Sequence, residues 1–270
     1  MKIVIVFIAV AVALYLVLVA MFYTAQRKFL YFPTHRYVPL STAHANPAFE
    51  EITLRTADGI ELKSWYAPAT SQAITIVFFH GNADSLYGAA PVADPYIAAG
   101  YGFLVTEYRG YSGLAGAPSE AGLYNDARAN LHWLMAQGVE SRQIILFGQS
   151  LGSGVAMEMA CKFKVGGVML LAPYLSIPKM ARVHYSFFPA QFLALDRFDN
   201  EKKIAKIHAP VLIANGDRDE VIPPRQGRDL YSLANQPKEF LSLPDRGHND
   251  AFDEFAPLSI DWIRRNYTAK

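Results

Sequence analysis

The fold of this 270-residue chain is constrained most by the segment Gly-Gln-Ser-Leu-Gly at residues 148–152. An apolar run of strand character precedes it at 143–147, and residues 153–160 after it have a helical composition. A serine between such a strand and helix sits in strained backbone, and small residues two positions away on each side let strand and helix approach. The pattern predicts an exposed nucleophile at Ser150 in an α/β fold, against the alternative of an ordinary Gly-Ser-rich turn.

A serine nucleophile needs a base to take its proton and an acid to hold that base. His248 follows the last predicted strand, on a loop at the same edge of the sheet as Ser150. Asp217 and Asp219 compete for the role of the acid after the strand at 210–216. The order of a glycine, two residues, an acid and a Val-Ile-Pro step favours Asp219, while Asp217 is suited to cap the turn. The predicted catalytic residues are therefore Ser150, Asp219 and His248.

Acyl-transfer chemistry also needs two backbone N–H groups that stabilise an oxyanion. The residue after the nucleophile, Leu151, is expected to supply one. The loop after the strand at 74–79 is expected to supply the other, because Gly81 lets the backbone turn close to the site and Asn82 follows it. His80 in the same loop is interpreted as a structural brace. Leu151 and Asn82 are the predicted oxyanion hole.

Apolar runs and turn residues predict a hairpin followed by alternating strands and helices. The hairpin pairs 51–55 with 62–66. Six further strands alternate with helix-length segments, which is typical of a parallel sheet with crossover helices. They are expected at 74–79, 102–107, 144–147, 167–171, 211–215 and 240–243. The predicted fold class is α/β, with a mostly parallel eight-stranded sheet and flanking helices.

The interval before the seventh strand is long enough for a small cap insertion at about 174–206. Its apolar side chains form either the cap's own core or a pocket that holds an acyl chain beside the nucleophile, and the sequence leaves both open. The candidate substrate-binding residues are Tyr174, His184, Phe187, Phe188, Phe192 and Leu195.

Six segments in chain order resemble the motifs of a known family. They are FHGNA at 79–83, EYRGY at 107–111, PSEAGL at 118–123, GQSLGSG at 148–154, GDRDEVIP at 216–223 and GHND at 247–250. On these segments, residues 50–268 resemble α/β-hydrolases, in particular small membrane-anchored serine hydrolases related to depalmitoylases and to monoacylglycerol and lysophospholipid lipases. The resemblance implies the α/β-hydrolase fold and the same roles for Ser150, Asp219, His248, Asn82 and Leu151.

The chain departs from that family's motifs in two loops near the expected pocket. Such proteins usually have H-G-N-A-G-N where this chain has Asp84-Ser85, and Y-R-G-Y-G-x-S where it has Ser112-Gly113-Leu114. Neither departure falls on the predicted catalytic residues. They weaken what the resemblance implies about the substrate.

Residues 3–23 contain no charged residue, and about twenty apolar residues suffice to cross a bilayer as a helix. A cleaved signal peptide is the alternative, but the run is longer than usual and Tyr23 occupies a position where cleavage needs a small residue. We predict an uncleaved transmembrane anchor at 1–25, a juxtamembrane connector at 26–49 and a catalytic domain at 50–270. The flanking charges leave the side of the membrane open.

Composition excludes several other classes of function. The net charge of +1, without a basic run beyond the juxtamembrane cluster, argues against a nucleic-acid partner. Phosphate-binding, dinucleotide-binding and metal-binding motifs do not occur in the sequence, so no cofactor or metal is predicted. A single cysteine, Cys161, excludes an intramolecular disulfide framework. The predicted partners are a small-molecule or lipid acyl substrate and the membrane.

Together these features predict a serine esterase, thioesterase or lipase that forms an acyl-enzyme on an apolar substrate at the membrane. A catalytically idle, membrane-tethered binding protein of the same fold remains an alternative, because fold alone does not establish function. A serine peptidase is a further alternative, which the small cap disfavours. The complete set of predicted catalytic residues and the oxyanion loop favours the enzyme.

Overall fold

Eight segments form the strands of one sheet in the computed structural model, which describes residues 1–267. The end of the predicted catalytic domain, 268–270, lies outside the described residues. The strands are β1 Glu50–Arg55, β2 Glu61–Ala67, β3 Thr75–Phe79, β4 Gly102–Val105, β5 Ile144–Gln149, β6 Gly167–Leu171, β7 Val211–Gly216 and β8 Lys238–Leu243. Their spatial order is β1-β2-β4-β3-β5-β6-β7-β8. Strand β2 pairs antiparallel with β1 and β4, and every other pair is parallel. The predicted α/β-hydrolase fold is confirmed.

Helices follow most of the strands, as the alternating sequence pattern predicts. The α-helices of the described residues are α1 Lys2–Leu30, α2 Leu86–Ala89, α3 Asp94–Ala98, α4 Glu120–Ala136, α5 Leu151–Lys162, α6 Ile177–His184, α7 Ala190–Leu193, α8 Asn200–Lys203, α9 Arg225–Leu233 and α10 Phe252–Tyr267. Short 3₁₀ turns lie at Leu40–Thr42, Ala90–Ala93, Tyr111–Gly113, Ser141–Gln143 and Ile204–Lys206.

Strand β3 illustrates why the centre of the sheet is apolar throughout. All of its residues are buried. Val77 belongs to an apolar core that includes Leu131 of α4, and Phe78 belongs to a second core that includes Phe255 of α10. Successive side chains of a strand point to opposite faces, so helices on both faces require apolar residues at every position.

Helix α1 is long and apolar enough to cross a membrane. It has 29 residues, and the mean hydropathy of its most apolar window is 3.3. None of its residues is buried in the protein. A helix of this length and composition near the amino terminus serves as a membrane anchor or a signal sequence. It continues past residue 25 to Leu30, so the predicted connector at 26–49 begins inside the helix.

Candidate active site

Ser150 lies at the tip of β5, in the turn that leads into α5. Its backbone has φ 51° and ψ −118°, a strained conformation for a residue with a side chain. A Cβ added at Gly152 would collide with the carbonyl oxygen of Phe79, and one at Gly148 would lie 2.6 Å from the Gly152 oxygen. The two glycines are therefore required by the close approach of β3, β5 and α5, and this approach holds the strained turn.

The structure brings Ser150, His248 and Asp219 together in one hydrogen-bonded row. The distance from His248 Nε2 to Ser150 Oγ is 3.1 Å, and that from His248 Nδ1 to Asp219 Oδ2 is 2.8 Å. The other carboxylate oxygen of Asp219 accepts from the N–H groups of Val221 and Ile222 at 2.9 and 2.7 Å. These bonds fix the buried carboxylate, which in turn orients the imidazole towards the serine.

Asp217, the competing acid, points elsewhere. Its side chain is exposed, and its Oδ1 accepts from the N–H of Asp245 at 2.8 Å. It thus joins the turn after β7 to the turn after β8. The structure brings Asp219 and not Asp217 to the imidazole.

The predicted oxyanion loop lies against the nucleophile. A Cβ placed on Gly81 would be 3.5 Å from Ser150 Cβ, so this backbone approaches the serine within van der Waals distance. Leu151 is the first residue of α5. Within residues 1–267, the N–H groups of Leu151 and Asn82 donate to no backbone carbonyl. Both residues line the same pocket as Ser150, which is what the predicted oxyanion hole requires.

His80 holds this loop in place through both of its ring nitrogens. Its ring is fully buried, with Nε2 2.8 Å from Glu107 Oε1 and Nδ1 2.8 Å from the Gly81 carbonyl oxygen. Burial lowers the pKa of His80, but the Glu107 carboxylate, together with Asp84 and the Gly81 carbonyl, raises it, and the net direction is upward. Ser112, at one of the departures from the family's motifs, donates from its hydroxyl to Glu107. Both ring nitrogens of His80 therefore bond to groups other than Ser150, which agrees with its interpretation as a structural residue.

Ser150 lines a cavity of about 690 Å³ whose walls are mostly apolar. Three of the predicted substrate-binding residues line it: Tyr174, His184 and Phe188. The cavity also contains Asp84, whose carboxyl has a pKa raised by burial. Among the described residues, no group of three or more His, Cys, Asp or Glu side chains is arranged to hold a metal ion.

The structure does not place Phe187, Phe192 and Leu195 on the cavity wall, and their role in substrate binding stays a prediction. Their exposed fractions are 44%, 80% and 48%. Ala190, the first residue of the short helix α7, lines the cavity, and so does Ala194, which follows the helix. Phe192 lies two residues after Ala190, and a residue at this spacing points to the opposite side of a helix.

One whole wall of the cavity, which is not among the residues predicted from the sequence, comes from α1 and the residues that follow it. This wall consists of Phe22, Gln26, Arg27, Phe29, Leu30 and Phe32. Phe22, Gln26 and Phe29 are spaced so that they share one face of the helix. The polar Gln26 within this otherwise apolar face is the sequence signal that the face contacts protein. That signal does not tell which part of the protein the face contacts.

Comparisons with known proteins agree with this architecture. The family model described as Serine aminopeptidase, S33 (Hydrolase_4) matches residues 70–198. A protein of Mycobacterium tuberculosis strain H37Rv is 36% identical over 91% of this chain and 88% of its own length. Protein bem46 of Schizosaccharomyces pombe is 31% identical over 82% of this chain and 78% of its own. The solved structure of the Pyrococcus furiosus esterase Pf2001 has a TM-score of 0.71 and 18% identity, covering 88% of this chain and 100% of that chain.

Proposed function

Since the chain belongs to the Hydrolase_4 family of α/β hydrolases, we propose that it is a serine hydrolase acting on an apolar acyl ester or thioester at the membrane. The observation that carries this proposal is the hydrogen-bonded row of Ser150, His248 and Asp219 at the floor of an apolar cavity. The esterase fold neighbour supports hydrolysis as the class of reaction.

The proposed reaction proceeds through an acyl-enzyme. Ser150 Oγ attacks the acyl carbonyl carbon while His248 Nε2 takes the hydroxyl proton. The N–H groups of Leu151 and Asn82 stabilise the oxyanion, and Asp219 stabilises the imidazolium. His248 then gives its proton to the leaving alcohol or thiol, and the bond to that group breaks. His248 Nε2 then takes a proton from a water molecule, whose oxygen attacks the acyl carbonyl carbon. The bond from that carbon to Ser150 Oγ breaks, His248 returns the proton to Oγ, and the carboxylic acid leaves.

The function is tested with acyl esters and thioesters of matched chain length, from acetyl to hexadecanoyl, on the detergent-solubilised protein. We expect kcat/KM to rise with chain length until the cavity is full, because each buried methylene contributes about 0.8 kcal/mol, roughly fourfold. An aminoacyl anilide in the same panel tests the peptidase alternative. Preference for acetyl over octanoyl esters would contradict the acyl-chain assignment, and absence of all turnover would favour the idle binding protein.

Phe188→Ala should flatten this dependence on chain length. Phe188 is almost completely buried and lines the cavity, so its removal takes contacts from the acyl chain. We expect the ratio of kcat/KM for dodecanoyl over acetyl esters to fall by about tenfold, which corresponds to roughly 1.4 kcal/mol of lost burial. Phe192→Ala is the matched control, because Phe192 lies in the same cap and points outward. Equal changes in the ratio for both variants would show that the cap's aromatic residues only hold the cap together.

We further propose that α1 remains as an uncleaved anchor. The protein should stay in the membrane fraction after washing with high salt or carbonate, since burial of about twenty apolar residues is insensitive to ionic screening. Release by salt would leave only the charges of Arg27 and Lys28 as a tether. Detection of Met1 at the amino terminus by mass spectrometry is the independent check, and its loss would indicate signal-peptide cleavage.

A further inference from the structure

One face of α1 contacts the cap. The hydroxyl of Tyr15 donates to the carbonyl of Phe187 at 3.1 Å. Phe22 lies two helical turns after Tyr15. The centre of its ring is 4.9 Å from that of Phe187 and 5.9 Å from that of Phe188. The Phe29 ring stacks on it at 4.9 Å. The cap's aromatic residues and the helix therefore share one apolar cluster, and Phe22, Phe29 and Phe188 of that cluster line the cavity.

Polar bonds fasten the same part of α1 to the end of the cap. Gln26 donates to the carbonyl of Leu193 at 3.2 Å and accepts from the N–H of Leu195 at 2.8 Å. Arg27 Nε donates to Asp196 Oδ2 at 2.8 Å. The Asp196 carboxylate is nearly buried and also accepts from the N–H of Glu120 at 3.0 Å. A buried carboxylate is costly without partners, so these bonds favour one fixed position of the helix against the cap.

The end of α1 also contacts the oxyanion loop. The Asn82 side chain donates to the carbonyl of Leu30 at 2.6 Å and accepts from the N–H of Phe32 at 2.9 Å. The hydroxyl of Tyr111 donates to the same Asn82 oxygen at 2.7 Å. The end of α1 and the residues after it thus extend from the aromatic cluster to Asn82, a residue of the predicted oxyanion hole.

We propose that the last turns of α1 are part of the substrate-binding site, and that Phe22 and Phe29 select substrates with long acyl chains. This inference rests on the proposed hydrolase function and deepens it. A chain bound to Ser150 lies between the helix and the cap, with Phe22 beside its distal carbons. Phe22 falls within the apolar stretch at 3–23, so the distal end of the bound chain lies next to the segment proposed to cross the bilayer. The substrate class is a long-chain acyl ester or thioester that resides in that membrane.

The test measures labelling of the full chain in phosphatidylcholine vesicles by methyl and dodecyl fluorophosphonates, which differ only in the chain that must enter the cavity. We expect F22A/F29A to lower the ratio of dodecyl to methyl labelling rates by at least about tenfold. F7A is the matched control, because Phe7 is 72% exposed on the same helix. F7A should keep the wild-type ratio.

F22W is the second variant, because it retains an aromatic ring against the cap and narrows the cavity instead of enlarging it. We expect it to slow dodecyl labelling more than methyl labelling. A lowered dodecyl-to-methyl ratio in F22A/F29A or F22W, with the wild-type ratio in F7A, supports the inference, and a raised ratio contradicts it. A wild-type ratio in both variants overturns it, and so does an equal change in F7A. Failure of both probes to label the wild-type protein would instead contradict the hydrolase function itself.

Discussion

Ser150→Ala is expected to lower kcat for acyl ester hydrolysis by a factor on the order of 10⁶, the size of effect seen when a serine nucleophile is removed from a working triad. The reason is that no other hydroxyl is held 3.1 Å from His248 Nε2 within the described residues. Labelling by a fluorophosphonate probe should disappear with it, because the probe forms its bond to the same oxygen. Steady-state hydrolysis and in-gel detection of the labelled protein measure the two effects.

Ser141→Ala is the matched control for this change. Ser141 precedes β5 and Ser150 follows it, so the two serines lie at opposite ends of one strand. The control should hydrolyse and label like the wild type. Equal labelling of Ser150→Ala and the wild type would refute Ser150 as the nucleophile, and resistance of the folded wild-type protein to the probe would favour the idle binding protein.

Asp219→Asn is expected to lower kcat by about 10⁴-fold while leaving the fold intact, as the equivalent change does in serine proteases. The amide oxygen can keep the bonds from the N–H groups of Val221 and Ile222, which leaves the amide NH₂ group facing His248 Nδ1. The imidazole must then carry its proton on Nε2, where it cannot accept the proton of Ser150. Hydrolysis rates and thermal unfolding of the variant separate loss of catalysis from loss of stability.

Asp217→Asn is the matched control, since it makes the same chemical change two residues away. The Asp217 side chain is exposed and accepts a hydrogen bond from the N–H of Asp245 in a turn. We therefore expect the kcat of the Asp217→Asn variant to stay within a few-fold of the wild-type value. The assignment of the acid would be wrong if Asp217→Asn caused the large loss and Asp219→Asn did not.

The sequence by itself determined the sheet and the expected edge of the site. Strands buried on both faces need continuous apolar runs, which are visible in a local stretch of sequence. The tight turn around Ser150 needs Gly148 and Gly152, which are equally local features. Parallel strands end at the same edge, which is why Asp219 and His248 were expected beside the serine from chain order alone. In the structure His248 lies at that edge and contacts both Asp219 and Ser150.

Only the tertiary structure decided which side chains line the cavity beside Ser150. The apolar composition of the cap predicted a pocket, but the orientation of each residue depends on the short helix α7, which turns Ala190 inward and Phe192 outward. The contribution of Phe22 and Phe29 depends on contacts between segments more than 150 residues apart in the chain, such as Gln26 with Leu195. Local periodicity predicts that a helix has a distinct face, whereas the partner of that face is set by long-range packing, which no local pattern contains.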